Sequence, residues 1–248
     1  MEYTKEDVPL RSETVVPDGC MEMIFHYRDP FSYSKRENQN DIQPSSFLGG
    51  QINRCLTITP TGDVGMIGVR FHPYGAAALL SLPMGELAGE TIDLVDIVGN
   101  KAKELSEQIA LAQEHQDRIL LIEGLLMKLY SDRIQADLLV EEAVFRVLNL
   151  KQETTVSELA KSLFISQRHL SRRFRHHVGL TIKSFYNIHR FQRLLRSICQ
   201  HTEGSSSLTN AAYNAGYYDQ SHLIKDFRRY TGTNPLEYLS SRHIFQQE

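Results

Sequence analysis

Two thirteen-residue windows, 53 residues apart, hold the side chains most suited to chemistry in this chain: Gln167–Gly179 and Gln220–Gly232. Six positions are identical (Gln, His, Leu, Phe, Arg and Gly), and a seventh pair, Arg172 with Lys225, keeps its charge. Leu170 and Phe174, like Leu223 and Phe227, stand four apart, so each pair falls on one helical face and can anchor it. The opposite face carries Arg168, Arg172 and Arg175 in the first window, and Ser221, Lys225 and Arg228 in the second. Gly179 and Gly232 suit a left-handed cap at a helix C-terminus. Each window therefore predicts a basic rod with a buried seam, which is chemistry for a polyanion; the plainer reading is a solvated charged face.

What precedes each rod also repeats. Thr155 followed by Glu158 is the pattern of a capping box, and Val156, Leu159, Ala160 and Leu163 form an apolar stripe before the turn Phe164-Ile165-Ser166. In the second copy Ser207 is the candidate cap, Leu208, Ala211, Ala212 and Ala215 the stripe, and Gly216-Tyr217-Tyr218-Asp219 a turn about one residue longer. The small residues allow the close crossing of a helix-turn-helix. Thr181–Gln200 reads as one connecting helix with Phe185, Ile188, Leu195 and Ile198 on its stripe. At about 1.5 Å per residue it spans roughly 30 Å, comparable to the rise of roughly 34 Å per duplex turn.

Charge follows the same division. Residues 1–150 hold 13 Lys+Arg and 23 Asp+Glu, whereas residues 151–248 hold 14 and 7, together with seven of the ten histidines. An acidic body joined to a basic module is the expected footprint of nucleic-acid binding. Other chemistry finds little support. No Ser/His/Asp or Cys/His signature and no glycine-rich phosphate loop stands out, so no enzyme and no cofactor is expected. The adjacent His176 and His177 cannot share a metal on one helical face, and His26, His72, Cys20 and Cys55 lack ligand spacing, so no metal is expected either. Arg70 reads more readily as a structural partner of an acid than as a ligand-pocket group. There is no long apolar span and no secretory leader, and the three scattered cysteines suit reduced thiols, which together predict a cytoplasmic protein without membrane contact.

Before Pro73 the chain reads as antiparallel sheet, with strands at Met21–Tyr27, Cys55–Thr59 and Val64–Phe71. Asp29–Ser46 is polar without a clear period and reads as a mobile loop. Short helices are expected at Gly75–Leu82 and Leu94–Val98, then a long helical pattern over Lys101–Tyr130 broken near Glu114–Asp117. From Asp137 everything reads as helix and short turn. The expectation is two domains: α+β over 1–133, with antiparallel strands plus helices, and all-α over 137–243, with two helix-turn-helix motifs joined by a linker helix.

Over residues 137–243 this layout resembles the AraC/XylS family of regulators. The likeness rests on His169-Leu170-Ser171-Arg172-Arg173-Phe174, on Arg190, and above all on the stretch Ala212–Gly232 followed by Pro235 and Tyr238. Ile182, Leu194 and Asn234 depart from the family's usual residues. Residues 16–25 and 68–80 resemble an uncharacterised sensor-type domain that accompanies this module. The resemblance implies a sequence-specific DNA-binding transcription regulator with recognition helices at about 167–177 and 220–230. Carried across, Gln167, Arg168, Ser171, Arg172 and Arg175, with Gln220, Ser221, His222, Lys225 and Arg228, meet base edges or phosphates. Arg175, Arg228, Arg229 and Lys183 are better placed for phosphates. Arg173 is expected to be structural, because Asp226 replaces it in the second copy. Implied partners are promoter DNA and RNA polymerase, with a second copy and a small-molecule effector as further candidates. Two rivals stand beside this: an enzyme or DNA-modifying protein that uses the helices for targeting, and a protein-binding adaptor.

Overall fold

A computed structural model describes residues 2–3, 11–36, 39–133, 137–149, 154–200 and 208–241. Short β-branched and aromatic runs build the N-terminal half as strands β1 (Glu2–Tyr3), β2 (Glu13–Val15), β3 (Glu22–His26), β4 (Phe31–Arg36), β5 (Gln39–Ile42), β6 (Ser46–Gly49), β7 (Leu56–Pro60), β8 (Val64–Arg70) and β9 (Thr91–Asp93). All pairings are antiparallel. One sheet has the order β1-β8-β3-β6-β9 and the other β2-β7-β4-β5. Along β3, Met23 and Phe25 are fully buried in the core beneath the helices, while Glu22 and Ile24 turn to the space between the sheets. That alternation is the period of two that a strand imposes on its side chains.

The stretch Asp29–Ser46, read as a mobile loop, is instead mostly sheet. Strands β4 and β5 pair from Ser32 opposite Ile42 to Arg36 opposite Gln39, with a register shift between Ser34 and Arg36. The strand pattern is present but disguised: Phe31 and Tyr33 are buried, and the residues alternating with them are serines, so the polar count hides the period.

Helices α1 (Gly75–Leu80) and α2 (Leu94–Val98) fall where expected, followed by α3 (Asn100–Leu111) and α4 (His115–Arg133). The anticipated break is real but falls slightly earlier, from Ala112. Arg118, 7% exposed, holds it: its Nε donates to Ile109 O at 3.2 Å and its Nη2 to Ala112 O at 2.6 Å, satisfying carbonyls at the end of α3. Ile122 and Leu125 of α4 face the core, whereas Ile119 is partly exposed.

The C-terminal half is helical throughout its described residues: α5 (Leu138–Asn149), α6 (Val156–Ser162), α7 (Gln167–Val178), α8 (Ile182–Gln200), α9 (Leu208–Ala215), α10 (Gln220–Thr231) and α11 (Pro235–Ser241). The capping box at Thr155 forms, with Glu158 N donating to Thr155 Oγ1 at 3.2 Å and Thr155 N to Glu158 Oε2 at 2.9 Å. Ser207 lies outside the described residues, as do the expected domain boundary at 134–136 and residues 242–243. Gly179 and Gly232 both take the left-handed cap, at φ 86° and 78°. Asn234, which departs from the family's usual residue, still caps α11: its Oδ1 accepts from the backbone of Leu236 and Glu237.

Both basic helices pack on α8 through aromatic edges. Phe174 meets Phe185 at 5.5 Å between ring centroids, and Phe227 meets Phe191 at 5.0 Å. All four rings are fully buried, each stabilising the fold by roughly 1.5–3 kcal/mol. The two anchoring rings on α8 are only six residues apart, about 9 Å of helical rise. The spacing of α7 and α10 is therefore set by where they seat on α8 and by what else holds them, not by the full length of α8.

Candidate nucleic-acid interface

The seams of α7 and α10 are buried and their opposite faces are open. Leu170, Phe174 and Val178 line one, Leu223, Phe227 and Tyr230 the other. Every side chain expected at the interface is exposed: Gln167, Arg168, Ser171, Arg172, Arg175 and Lys183 in the first unit, and Gln220, Ser221, His222, Lys225, Arg228 and Arg229 in the second. Among the described residues Arg168, Arg172, Lys183, Lys225 and Arg228 make no ion pair or hydrogen bond, so their charges are available to a partner. Ser166 and Asp219 cap the two helix starts, accepting from His169 N at 3.3 Å and Ser221 N at 2.9 Å.

Arg173 is structural, as expected. Its Nε donates to Asp137 Oδ2 at 2.7 Å, and His177 Nε2 lies 3.1 Å from the same oxygen. Asp137 also accepts from Leu139 N and Val140 N, so it caps α5 while it holds α7. Burial raises the Asp137 pKa, but the Arg173 hydrogen bond, the Val140 N–H and the charges of Arg173 and His177 outweigh it, leaving the carboxyl below its ordinary value. Burial also pushes His177 down.

In the second unit the acid sits on the basic helix α10 itself. Asp226 is 5% exposed and pairs with Arg190 of α8, itself 2% exposed, at 2.9 Å. Tyr217 donates its hydroxyl to Asp226 Oδ2 at 2.8 Å and places its ring 4.3 Å from the Arg190 guanidinium. Burial, then the Asp226 charge, drives the Tyr217 hydroxyl well above its usual range, so it remains a donor. Arg190 Nη2 also donates to His222 Nε2 at 3.1 Å, which ties one expected DNA-facing residue to the linker helix.

Sequence reasoning missed a contact that both units make with the N-terminal half. His176 O accepts from Met84 N at 2.8 Å, and Arg229 O accepts from Cys55 N at 3.1 Å. His176 and Arg229 are equivalent positions of the 53-residue repeat. The N-terminal half thus grips the last turn of each basic helix by the same backbone carbonyl. Both helix caps adjoin the grip: a Cβ on Gly179 would stand 3.0 Å from Met84 O, and one on Gly232 would stand 3.6 Å from Cys55 Sγ. Arg175 packs on Gly85, where an added Cβ would meet Arg175 O at 2.9 Å. Arg229 Nε donates to Asn53 O at 2.8 Å, so this cation is engaged within the protein. Backbone-to-backbone bonds between distant segments leave no side-chain pattern in the sequence.

Arg70 is likewise structural: it donates to Glu22 Oε1 through Nε at 2.9 Å and Nη2 at 2.7 Å. Among the described residues no group of three or more His, Cys, Asp or Glu is placed to hold a metal, and no helix is long and apolar enough to cross a membrane.

A profile for a helix-turn-helix domain matches residues 159–241, and one for a domain of unknown function (DUF6597) matches residues 2–93. Among solved structures, ToxT from Vibrio cholerae superposes with a TM-score of 0.49 at 15% identity, covering 93% of this chain and 94% of that one. The unsaturated fatty acid bound form of wild-type ToxT from Vibrio cholerae strain SCE256 gives 0.47 at 15% identity, covering 96% and 92%. The AraC-like transcriptional activator CuxR gives 0.27 at 15% identity, covering 78% and 72%. No curated protein matches the sequence.

Proposed function

We propose that this chain, whose residues 159–241 match a helix-turn-helix domain, is an AraC-type regulator that controls transcription by presenting α7 and α10 to successive major grooves on one side of a promoter. The observation that carries this reading is the pair of basic faces, repeated in register, exposed, and left without internal partners at Arg172 and Lys225. Gln167, Arg168, Ser171 and Arg172, with Gln220, Ser221, His222 and Lys225, read base edges, where Arg forks onto guanine and Gln onto adenine. Arg175, Lys183, Arg228 and Arg229 meet phosphates and fix register; for Arg229 this requires release from Asn53. The division of labour follows 1–133 and 137–243. The N-terminal half supplies regulatory input, by sensing an effector or by pairing two copies, and the protein acts in the cytoplasm without catalytic turnover, beside RNA polymerase.

Selection of random duplexes by the full chain tests this reading. The expected product is a two-part motif whose halves are centred about one helical turn apart, roughly 10–10.5 base pairs. Recovery of no shared motif after repeated rounds would refute sequence-specific binding.

A further inference from the structure

Phe164 stands 95% exposed in the turn between α6 and α7, more than any other large apolar side chain among the described residues. Its backbone is left-handed, at φ 57°, a region that glycine enters freely and that Cβ disfavours in other residues. The matching position of the second unit is Gly216, so the turn itself does not call for an aromatic. In the free protein Phe164 therefore carries both backbone strain and a ring in water. Its neighbours Leu163 and Ile165, not Phe164, pack the turn against the core. A strained, exposed residue retained against stability belongs where a partner is met.

The charge around the ring selects the partner. Between Glu158 and Glu203 lie 44 residues, nine of them Lys or Arg and none Asp or Glu. Lys161 on one side of Phe164, and Gln167 and Arg168 at the start of α7 on the other, are all exposed. A surface that fits here must offer an apolar group framed by negative charge. Duplex DNA does so: the thymine 5-methyl projects into the major groove between two lines of phosphates. The second unit also carries an aromatic at this end of its basic helix, by another route. Tyr218, 73% exposed, stands just before the capping Asp219 and meets Tyr213, 66% exposed, edge-on at 6.1 Å between ring centroids. A tyrosine hydroxyl can donate to a phosphate; the Phe164 ring offers only apolar contact.

We infer that Phe164 is a specificity-determining residue, whose ring packs on the 5-methyl of a thymine beside the bases met by Gln167 and Arg168. The inference rests on the reading of α7 as a DNA-contacting helix, and adds to it a base position that the polar face of α7 does not read.

The test removes one methyl at a time. The full chain is titrated by anisotropy against the selected duplex, with each thymine of the motif replaced in turn by deoxyuracil, which keeps the hydrogen-bonding groups and lacks the 5-methyl. At one position wild type should bind about fourfold more weakly, the worth of one buried methyl, about 0.8 kcal/mol. Phe164→Gly and Phe164→Asn both suit a left-handed backbone. Each should bind the thymine duplex about fivefold more weakly than wild type, a change of about 1 kcal/mol, and be indifferent to that replacement, with a far-UV spectrum unchanged. A purely structural role for the ring would leave the deoxyuracil penalty intact in both variants. Wild-type affinity in both variants, no penalised thymine in wild type, or a penalty that the variants share overturns the inference. So does loss of transcription with DNA affinity intact, which would assign the ring to a protein partner. If Arg172→Ala still weakens binding in any of these cases, the DNA interface stands without Phe164; if it does not, the reading of α7 falls as well.

Discussion

The two helix-turn-helix units share their backbone plan down to the glycine caps, yet they are anchored by charges in opposite order. In the first, the basic helix α7 offers the base: Arg173, 41% exposed, reaches Asp137 on the preceding segment. In the second it offers the acid: Asp226 turns inward to Arg190 on the linker helix, and both are nearly inaccessible. The first anchor is thus half in solvent and screened, the second buried and supported by Tyr217. The turns differ as well. Phe164 takes φ 57° with 95% of its surface exposed, where the second unit has Gly216 at φ 93°. The helix plan tolerates either anchor; what is kept in both units is the open basic face and the grip of the N-terminal half on the last turn.

The largest consequence concerns the buried anchor. Asp226→Ala leaves Arg190 as an uncompensated buried charge and should destabilise the protein by about 3–5 kcal/mol. Asp137→Ala, which loses a helix cap and a partly screened ion pair, should cost about 1–2 kcal/mol. Urea denaturation of the two variants compares them directly. Equal costs would show that the opposed burial of the anchors has no energetic meaning.

A second contrast lies along α8. The His189 ring packs 4.3 Å from Phe185, which seats the first unit, and is held neutral by burial. Its folded pKa is depressed from 6.5 to about 4, so the unfolded chain binds the proton first. Stability is then complete above pH 6.5 and falls as pH drops through the window down to about 4, with a loss on the order of 2–3 kcal/mol. His177, also depressed by burial, adds a slope of the same sign below its ordinary value. Melting temperatures followed from pH 7 to pH 4.5 should show the decline, and His189→Gln should flatten most of it. A His189→Gln profile parallel to wild type would remove His189 from the account.

The turns carry the smallest effects. Gly216→Ala forces a Cβ into the left-handed region and should cost about 1 kcal/mol, whereas Phe164→Gly relieves that strain and should gain about 0.5 kcal/mol after the added freedom of the unfolded chain. Opposite signs in thermal melts support the matching of these two positions; a destabilised Phe164→Gly would mean that the exposed ring makes a stabilising contact.

Much of the C-terminal half was legible because its signals are local. The Leu170/Phe174 and Leu223/Phe227 pairs, the Thr155–Glu158 box and the two glycine caps each act within a few residues of themselves. The substitution of Arg173 by Asp226 already marked that position as structural, although the partners, Asp137 and Arg190, lie 36 residues away in each case. The N-terminal half was harder. Its β4–β5 hairpin carries serines between its core aromatics, so composition argued against the period. The grip on His176 and Arg229 runs through backbone groups that every residue possesses, so it has no signature in residue type.

Anisotropy titrations of wild type, Arg172→Ala and Lys225→Ala against a selected duplex, across a range of salt, test the role of the basic faces most directly. Each variant should lose about 1–3 kcal/mol of binding free energy while remaining folded, and log K should fall linearly with log salt as counterions are released. Equal affinities for the three proteins, or a Kd indifferent to salt, would contradict the claim that the repeated basic faces are where this protein meets DNA.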